Sequence, residues 1–166
     1  GEVFEIDTLM GGHAGITAGY LIRSDRPCLV ETGTALSAPT VVEALGRLGI
    51  GPDDLATVVV THIHLDHAGG VGDIAEAFPR AQVVVHERGA RHLVDPSKLV
   101  ASAHRVFGPV MEELFGDLRP TDAARVGARG DVGEIGLGGG RRLEDFHAPG
   151  HASHHVGLLG ASTGEL

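Results

Sequence analysis

The stretch Thr61-His62-Ile63-His64-Leu65-Asp66-His67 places three imidazoles and a carboxylate inside six residues, and Ala68-Gly69-Gly70 follows at once. Imidazole nitrogen and carboxylate oxygen are the donors that suit zinc, and equally iron or manganese. The apolar run Val58-Val59-Val60 in front of them reads as a buried strand, too short and too β-branched for a helix. If strand geometry continues through the first two histidines, His62 and His64 stand at i and i+2 and point to the same side. Asp66 and His67 then lie on the turn beyond, where Gly69-Gly70 lets the backbone close around a site. A lone histidine is ordinarily a surface residue or a satisfied core residue. Four ionisable groups behind an apolar strand differ, because burying them is costly unless something pairs with them. A bound cation answers both the burial and the spacing.

The elements that must position this segment alternate along the chain. Val3 to Leu9 and Thr17 to Arg23 read as strands, joined by a glycine-rich turn on which His13 is a solvated loop residue. Cys28 to Glu31 is a third strand, with Cys28 a small core residue. Ser37 suits the N-cap of a helix that has Pro39 in its first turn, Val41, Val42, Leu45 and Leu48 at helical spacing, and Gly49 as its stop. Asp53-Asp54 read as a solvated turn. Val71 to Phe78 reads as a short helix ending near Pro79, and Gln82 to His86 as a strand. Strand and helix thus alternate between residues 28 and 86, which is the α/β pattern. His86 and His92 lie at that strand's exit. Pro96 to Gly116 is helical and broken at Gly108-Pro109; its Leu99, Val106, Val110, Leu114 and Phe115 either line a pocket or cover the sheet, and His104 is exposed or packed. Residues 117–140 read as hairpin and loop, without a phosphate-binding glycine pattern. Arg142 to Phe146 and Val156 to Leu159 are the last strands.

Length and composition bound the function. At 166 residues the chain is expected to form one domain, residues 1–166, with a substantial core. With no Trp, one Tyr and five Phe, that core must be built from aliphatic side chains. A net charge of −9 argues against nucleic acid as partner, since phosphate binding relies on clustered Lys and Arg. No apolar stretch approaches eighteen residues, so no membrane span is expected. The first residues lack the basic and apolar regions of a signal peptide, and a cytoplasmic location is expected. A single cysteine excludes an internal disulfide framework.

The segment from His62 to His67 resembles the HxHxDH signature of the metallo-β-lactamase superfamily. Leu29-Val30-Glu31-Thr32-Gly33 is similar to the strand that ends in Asp-Thr-Gly in that family, with Glu31 where Asp is usual, a supporting position rather than a ligand. His147-Ala148-Pro149-Gly150-His151 resembles the family's H-[TA]-P-G-H segment, whose second His is a metal ligand. The resemblance implies an αββα sandwich in which His62, His64 and His151 bind one metal while Asp66 and His67 begin a second site. It implies zinc, one or two ions, with iron or manganese as alternatives, and His155 standing near the site. A hydroxide held between the ions would attack a small ester, thioester or lactone, with Asp66 as the catalytic residue that orients it and protonates the leaving group. The same motif serves an iron-dependent persulfide dioxygenase of the same fold, and a metal-binding fragment without catalysis is a third reading. In the family a bridging Asp and a final His follow, whereas no aspartate follows Asp145 here. The expectation is therefore a sandwich incomplete at its C-terminus, which associates with itself or with an absent C-terminal segment and takes a small-molecule substrate.

Overall fold

The computed structural model describes residues 2–162. Its first sheet is hydrogen-bonded in chain order: β1 (Val3–Asp7), β2 (Ala18–Ile22), β3 (Cys28–Val30), β4 (Thr57–Val59), β5 (Gln82–His86) and β6 (Val126–Arg129). β1, β2 and β3 pair antiparallel, whereas β3 to β6 run parallel. A second, antiparallel sheet holds β7 (Val132–Gly138), β8 (Arg141–His147) and β9 (Val156–Ser162). The helices are α1 (Ala38–Arg47), α2 (Leu65–Ala68), α3 (Val71–Ala77), α4 (Glu87–Val94), α5 (Ser97–Phe107) and α6 (Met111–Phe115).

The alternation of side chains along each strand creates the layers. Leu29, Val58, Val60, Val83 and Val85 are buried with Val41 and Leu45 of α1 and Val71 and Ile74 of α3. The intervening Cys28, Val30, Val59 and Val84 pack against Ile135, Leu137 and Leu143 of the second sheet. The central strands are apolar at nearly every position because both faces are covered. Helices, sheet and sheet therefore stack in the α/β arrangement expected. Cys28 is fully buried between the sheets, and burial pushes its thiol up to about 12, so it is an unreactive core residue. On the opposite face of the second sheet Val132, Phe146 and Leu159 are exposed. No helix among the described residues is long and apolar enough to cross a membrane.

Three local expectations are corrected. Ser37 does not cap the helix: Thr34 Oγ1 accepts the Ser37 amide at 3.1 Å and starts a 3-10 turn, Ala35–Ser37, that runs into α1. The capping chemistry thus lies one turn earlier. Residues 117–140 hold more than hairpin and loop, because Val126–Arg129 joins the parallel sheet beside β5. That strand has no clear apolar alternation. It is secured by Arg125, whose guanidinium donates to the carbonyls of Ala75, Phe78 and Ala81 at 2.5–3.1 Å. Finally, β4 ends at Val59, so strand geometry does not continue through His62 and His64.

What positions the histidine segment is a clamp from the end of β3. The Thr32 amide and hydroxyl both donate to the His67 carbonyl at 2.9 Å, and the Gly70 amide donates to the Gly33 carbonyl at 3.0 Å. Gly33 permits this at φ 71, where an added Cβ would stand 2.9 Å from the Cβ atoms of Ser37 and Thr8. No other residue combines that backbone with that space.

Candidate metal centre

Beyond β4 the chain leaves the sheet and turns back on itself. His64 is extended (φ −62°, ψ 149°) and caps α2, its carbonyl accepting the amides of His67 and Ala68 at 3.0 and 2.8 Å. His62 and His64 nevertheless approach each other, through this turn rather than through strand pleating. His62 is 2% exposed. Its Nδ1 lies 2.9 Å from Thr61 Oγ1, which leaves Nε2 buried without a partner. His151 arrives on the connection between β8 and β9, which is fastened to the segment by the Val156 amide donating to the Thr61 carbonyl at 2.9 Å. The ring centroids of His62, His64 and His151 form a nearly equilateral triangle with sides of 4.6, 4.7 and 4.8 Å. His64 Nδ1 and His151 Nε2 are 3.0 Å apart, and the donor atoms of all three residues lie within 4.8 Å of one another. An orphaned buried nitrogen and two exposed imidazoles converging on it make a donor set that fits a divalent cation.

A second group adjoins it, since donor atoms of Glu31, His62 and His67 also lie within 4.8 Å of one another. Glu31 is buried and held at φ 64, a left-handed conformation that costs a side-chain-bearing residue energy. Its Oε1 accepts the Thr61 amide at 2.6 Å, and its Oε2 lies 2.5 Å from His67 Nδ1. Both oxygens are therefore engaged in supporting the segment. Asp66 Oδ2 lies 3.4 Å from the other His67 nitrogen, so His67 sits between two carboxylates.

These surroundings set different protonation states on neighbouring rings. Burial, then the nearby histidines with His67 first among them, pulls His62 down to about 3. Burial, then His151, lowers His64 as well. Hydrogen bonds to Asp66 and then Glu31 push His67 up to about 10, and the same bond with His67 lowers Asp66. Asp66 is thus an anion, while His62 keeps the neutral form that binds metal.

The pH dependence of the metal-free fold follows. Unfolded histidine takes up its proton near pH 6.5, whereas folded His62 resists it until about 3 and His154, through burial, until about 4. Acidification from about pH 6.5 to 4 will therefore destabilise the metal-free chain. The contribution of His67 is complete below 6.5 and is lost as pH rises through about 10, so the alkaline side declines too. Urea unfolding against pH should give a maximum near 6.5. A flat profile between pH 4 and 6.5 would contradict these charge states.

Of the remaining histidines, His13 and His104 are exposed, and His155 stands with its ring 5.1 Å from that of His62, beside the group as the resemblance implied. The sequence reading passed over His154. Its Nε2 accepts the Ile63 amide at 3.0 Å and so holds the middle of the motif, a role that leaves no trace in spacing. A cavity of about 450 Å³ opens beside His64 and Asp66. Leu99, Ala103, Val106, Phe107 and Phe115 line it, so the helical segment after Pro96 does contribute a pocket wall. Val110 is exposed instead, and Leu114 packs near Met111.

Comparison with known proteins accords with this geometry. ST1585, a metallo-β-lactamase fold-containing protein of Sulfurisphaera tokodaii, is 31% identical over 110 residues, covering 64% of this chain and 41% of that protein. Its crystal structure superposes with a TM-score of 0.79 at 24% identity, over 95% of this chain and 59% of the other. The exodeoxyribonuclease WalJ of Streptococcus pneumoniae is 33% identical over 118 residues, 69% of this chain and 42% of WalJ. A hydroxyacylglutathione hydrolase of Chromohalobacter salexigens is 28% identical over 141 residues, 84% of this chain and 40% of the enzyme. The chain thus spans about two fifths of the length of these relatives. The family model described as the metallo-beta-lactamase superfamily matches residues 12–163. Two face-packed sheets, a histidine triad gathered at their edge and a family match over nearly the whole sequence lead to one conclusion: the chain belongs to the metallo-β-lactamase superfamily.

Proposed function

We propose that this chain carries the metal-binding half of a hydrolase acting on a small ester, thioester or lactone, with His62, His64 and His151 holding one cation. The observation that carries the reading is the buried, unpartnered Nε2 of His62 facing two exposed imidazoles. A cation held there would supply Lewis acidity and lower the pKa of water at the site towards neutrality. Zinc fits the three imidazoles, as do iron and manganese.

The chain's own residues perform the rest. Asp66 faces both the cavity and His67, and its carboxylate is ionised, so it can accept a proton from water and later deliver it to the leaving group. His67 and Asp66 begin a second metal site. His67 would have to give up the proton that Asp66 and Glu31 hold on it in order to serve there as a ligand. Glu31 and His154 keep the segment in register through the amides of Thr61 and Ile63. The apolar cavity wall excludes water and receives the non-reacting part of the substrate.

The test is a panel assay on the complete protein loaded with zinc, iron or manganese. It includes an ester, a thioester such as hydroxyacylglutathione, a lactone, single-stranded DNA and glutathione persulfide, with oxygen uptake recorded. Hydrolysis of one of the first three, lost on chelation and restored by metal, is the expected outcome. DNA belongs in the panel because WalJ is an exodeoxyribonuclease, although the charge of −9 works against phosphate binding. Oxygen consumption with persulfide and no hydrolysis would overturn the reading.

A further inference from the structure

Three side chains outside the proposed centre converge where the two sheets end. His86 closes β5 in the first sheet, His147 closes β8 in the second, and Asp131 stands on the link between β6 and β7. Their candidate donor atoms lie within 4.8 Å of one another. The His86 side chain is 0% exposed, and its Nε2 is buried without a hydrogen-bond partner. Asp131 Oδ1 stands 3.6 Å from it, beyond hydrogen-bond reach. The rings of His86 and His147 stack with centroids 4.7 Å apart.

The protons expose a conflict. His147 Nε2 lies 2.9 Å from the Ser153 carbonyl oxygen, which can only accept, so Nε2 carries the hydrogen. In the neutral ring Nδ1 is then a lone pair, and it faces Asp131 Oδ1 at 3.4 Å. A lone pair set against a carboxylate is repulsive unless positive charge lies between them. Two imidazoles and a carboxylate around that point are the donors that zinc, cobalt and nickel prefer.

We propose that His86, Asp131 and His147 form a further cation site, separate from the His62, His64 and His151 triad and from the adjoining Asp66 and His67, and selective for divalent transition metals. Asp131 is exposed, so an ion enters from solvent and water completes its coordination. Binding through His86 Nε2 moves that ring's proton to Nδ1 and gives up the long 3.3 Å bond accepted from the Arg88 amide. The cation ties β5 to β8. It also steadies the loop carrying His151, because His147 is already bonded to Ser153 on that loop.

The experiment starts from the His64→Ala/His151→Ala chain, in which both changed residues are exposed, so the fold is expected to persist. Zinc is titrated by equilibrium dialysis with elemental analysis, and cobalt by its visible absorption. A cation held by His86, Asp131 and His147 should remain, raising the melting temperature. Adding Asp131→Asn or His147→Gln should weaken it by at least roughly tenfold and abolish that rise. Asp131 is exposed, so its Asn variant also keeps the fold. Absence of residual binding in the double variant would overturn the inference, leaving a proton on His147 as the answer to the conflict. Residual binding indifferent to Asp131→Asn and His147→Gln would overturn it equally. Neither failure touches the hydrolase reading, which depends on the cation lost with His64 and His151.

Discussion

His64→Ala and His151→Ala will each weaken divalent metal binding at the triad by more than roughly a hundredfold while leaving the fold intact. Both side chains are exposed, so their truncation opens no cavity in the core. Their nitrogens stand 3.0 Å apart, close enough to share a proton in the metal-free chain, and a cation taking that proton's place would be held by both. His62→Ala is a poorer probe, because that ring is buried beneath Thr61 and its loss would also disturb packing. Elemental analysis after dialysis at low metal concentration reads the effect directly. Unchanged affinity in both variants would remove the triad from metal binding.

Asp66→Asn in the complete protein should lower kcat by at least roughly a hundredfold while the cation held by His62, His64 and His151 is retained. Asparagine keeps the shape of the side chain but loses the anion and its basicity. The hydrogen bond that His67 donates to Asp66 is the largest cause of its raised affinity for the proton, so the variant's His67 will titrate lower. A shift of the pH–rate profile should therefore accompany the loss of rate, which simple misfolding would not produce. Near-normal turnover with metal retained would take Asp66 out of the mechanism.

How far the sequence revealed this depended on whether a feature was encoded locally. The apolar runs of β3, β4 and β5 and the periodicity of α1 and α3 are local, and they are found where the pattern puts them. The edge strand β6 is not, because Val126-Gly127-Ala128-Arg129 becomes a strand through pairing with β5 and the anchoring of Arg125. The spacing of His62 and His64 marked the metal segment, yet the structural reason differs from strand alternation: the His64 cap of α2 turns the rings together. His151 was legible only through its resemblance to a known segment, since 87 residues separate it from His64. His154 and the His86, Asp131 and His147 group carry no motif, and their proximity arises from the meeting of two sheets. Glu31 was visible as a departure from Asp, but its bond to His67 and its left-handed backbone arise only in the folded chain.

One cation shared by His62, His64 and His151 is the centre of the proposed chemistry. The most direct test is diffraction from zinc-loaded crystals at energies on either side of the zinc absorption edge. An anomalous peak is expected about 2.0–2.2 Å from one ring nitrogen of each of the three, with His62 contributing Nε2. Zinc bound elsewhere, with His62 Nε2 still without a ligand, would contradict it.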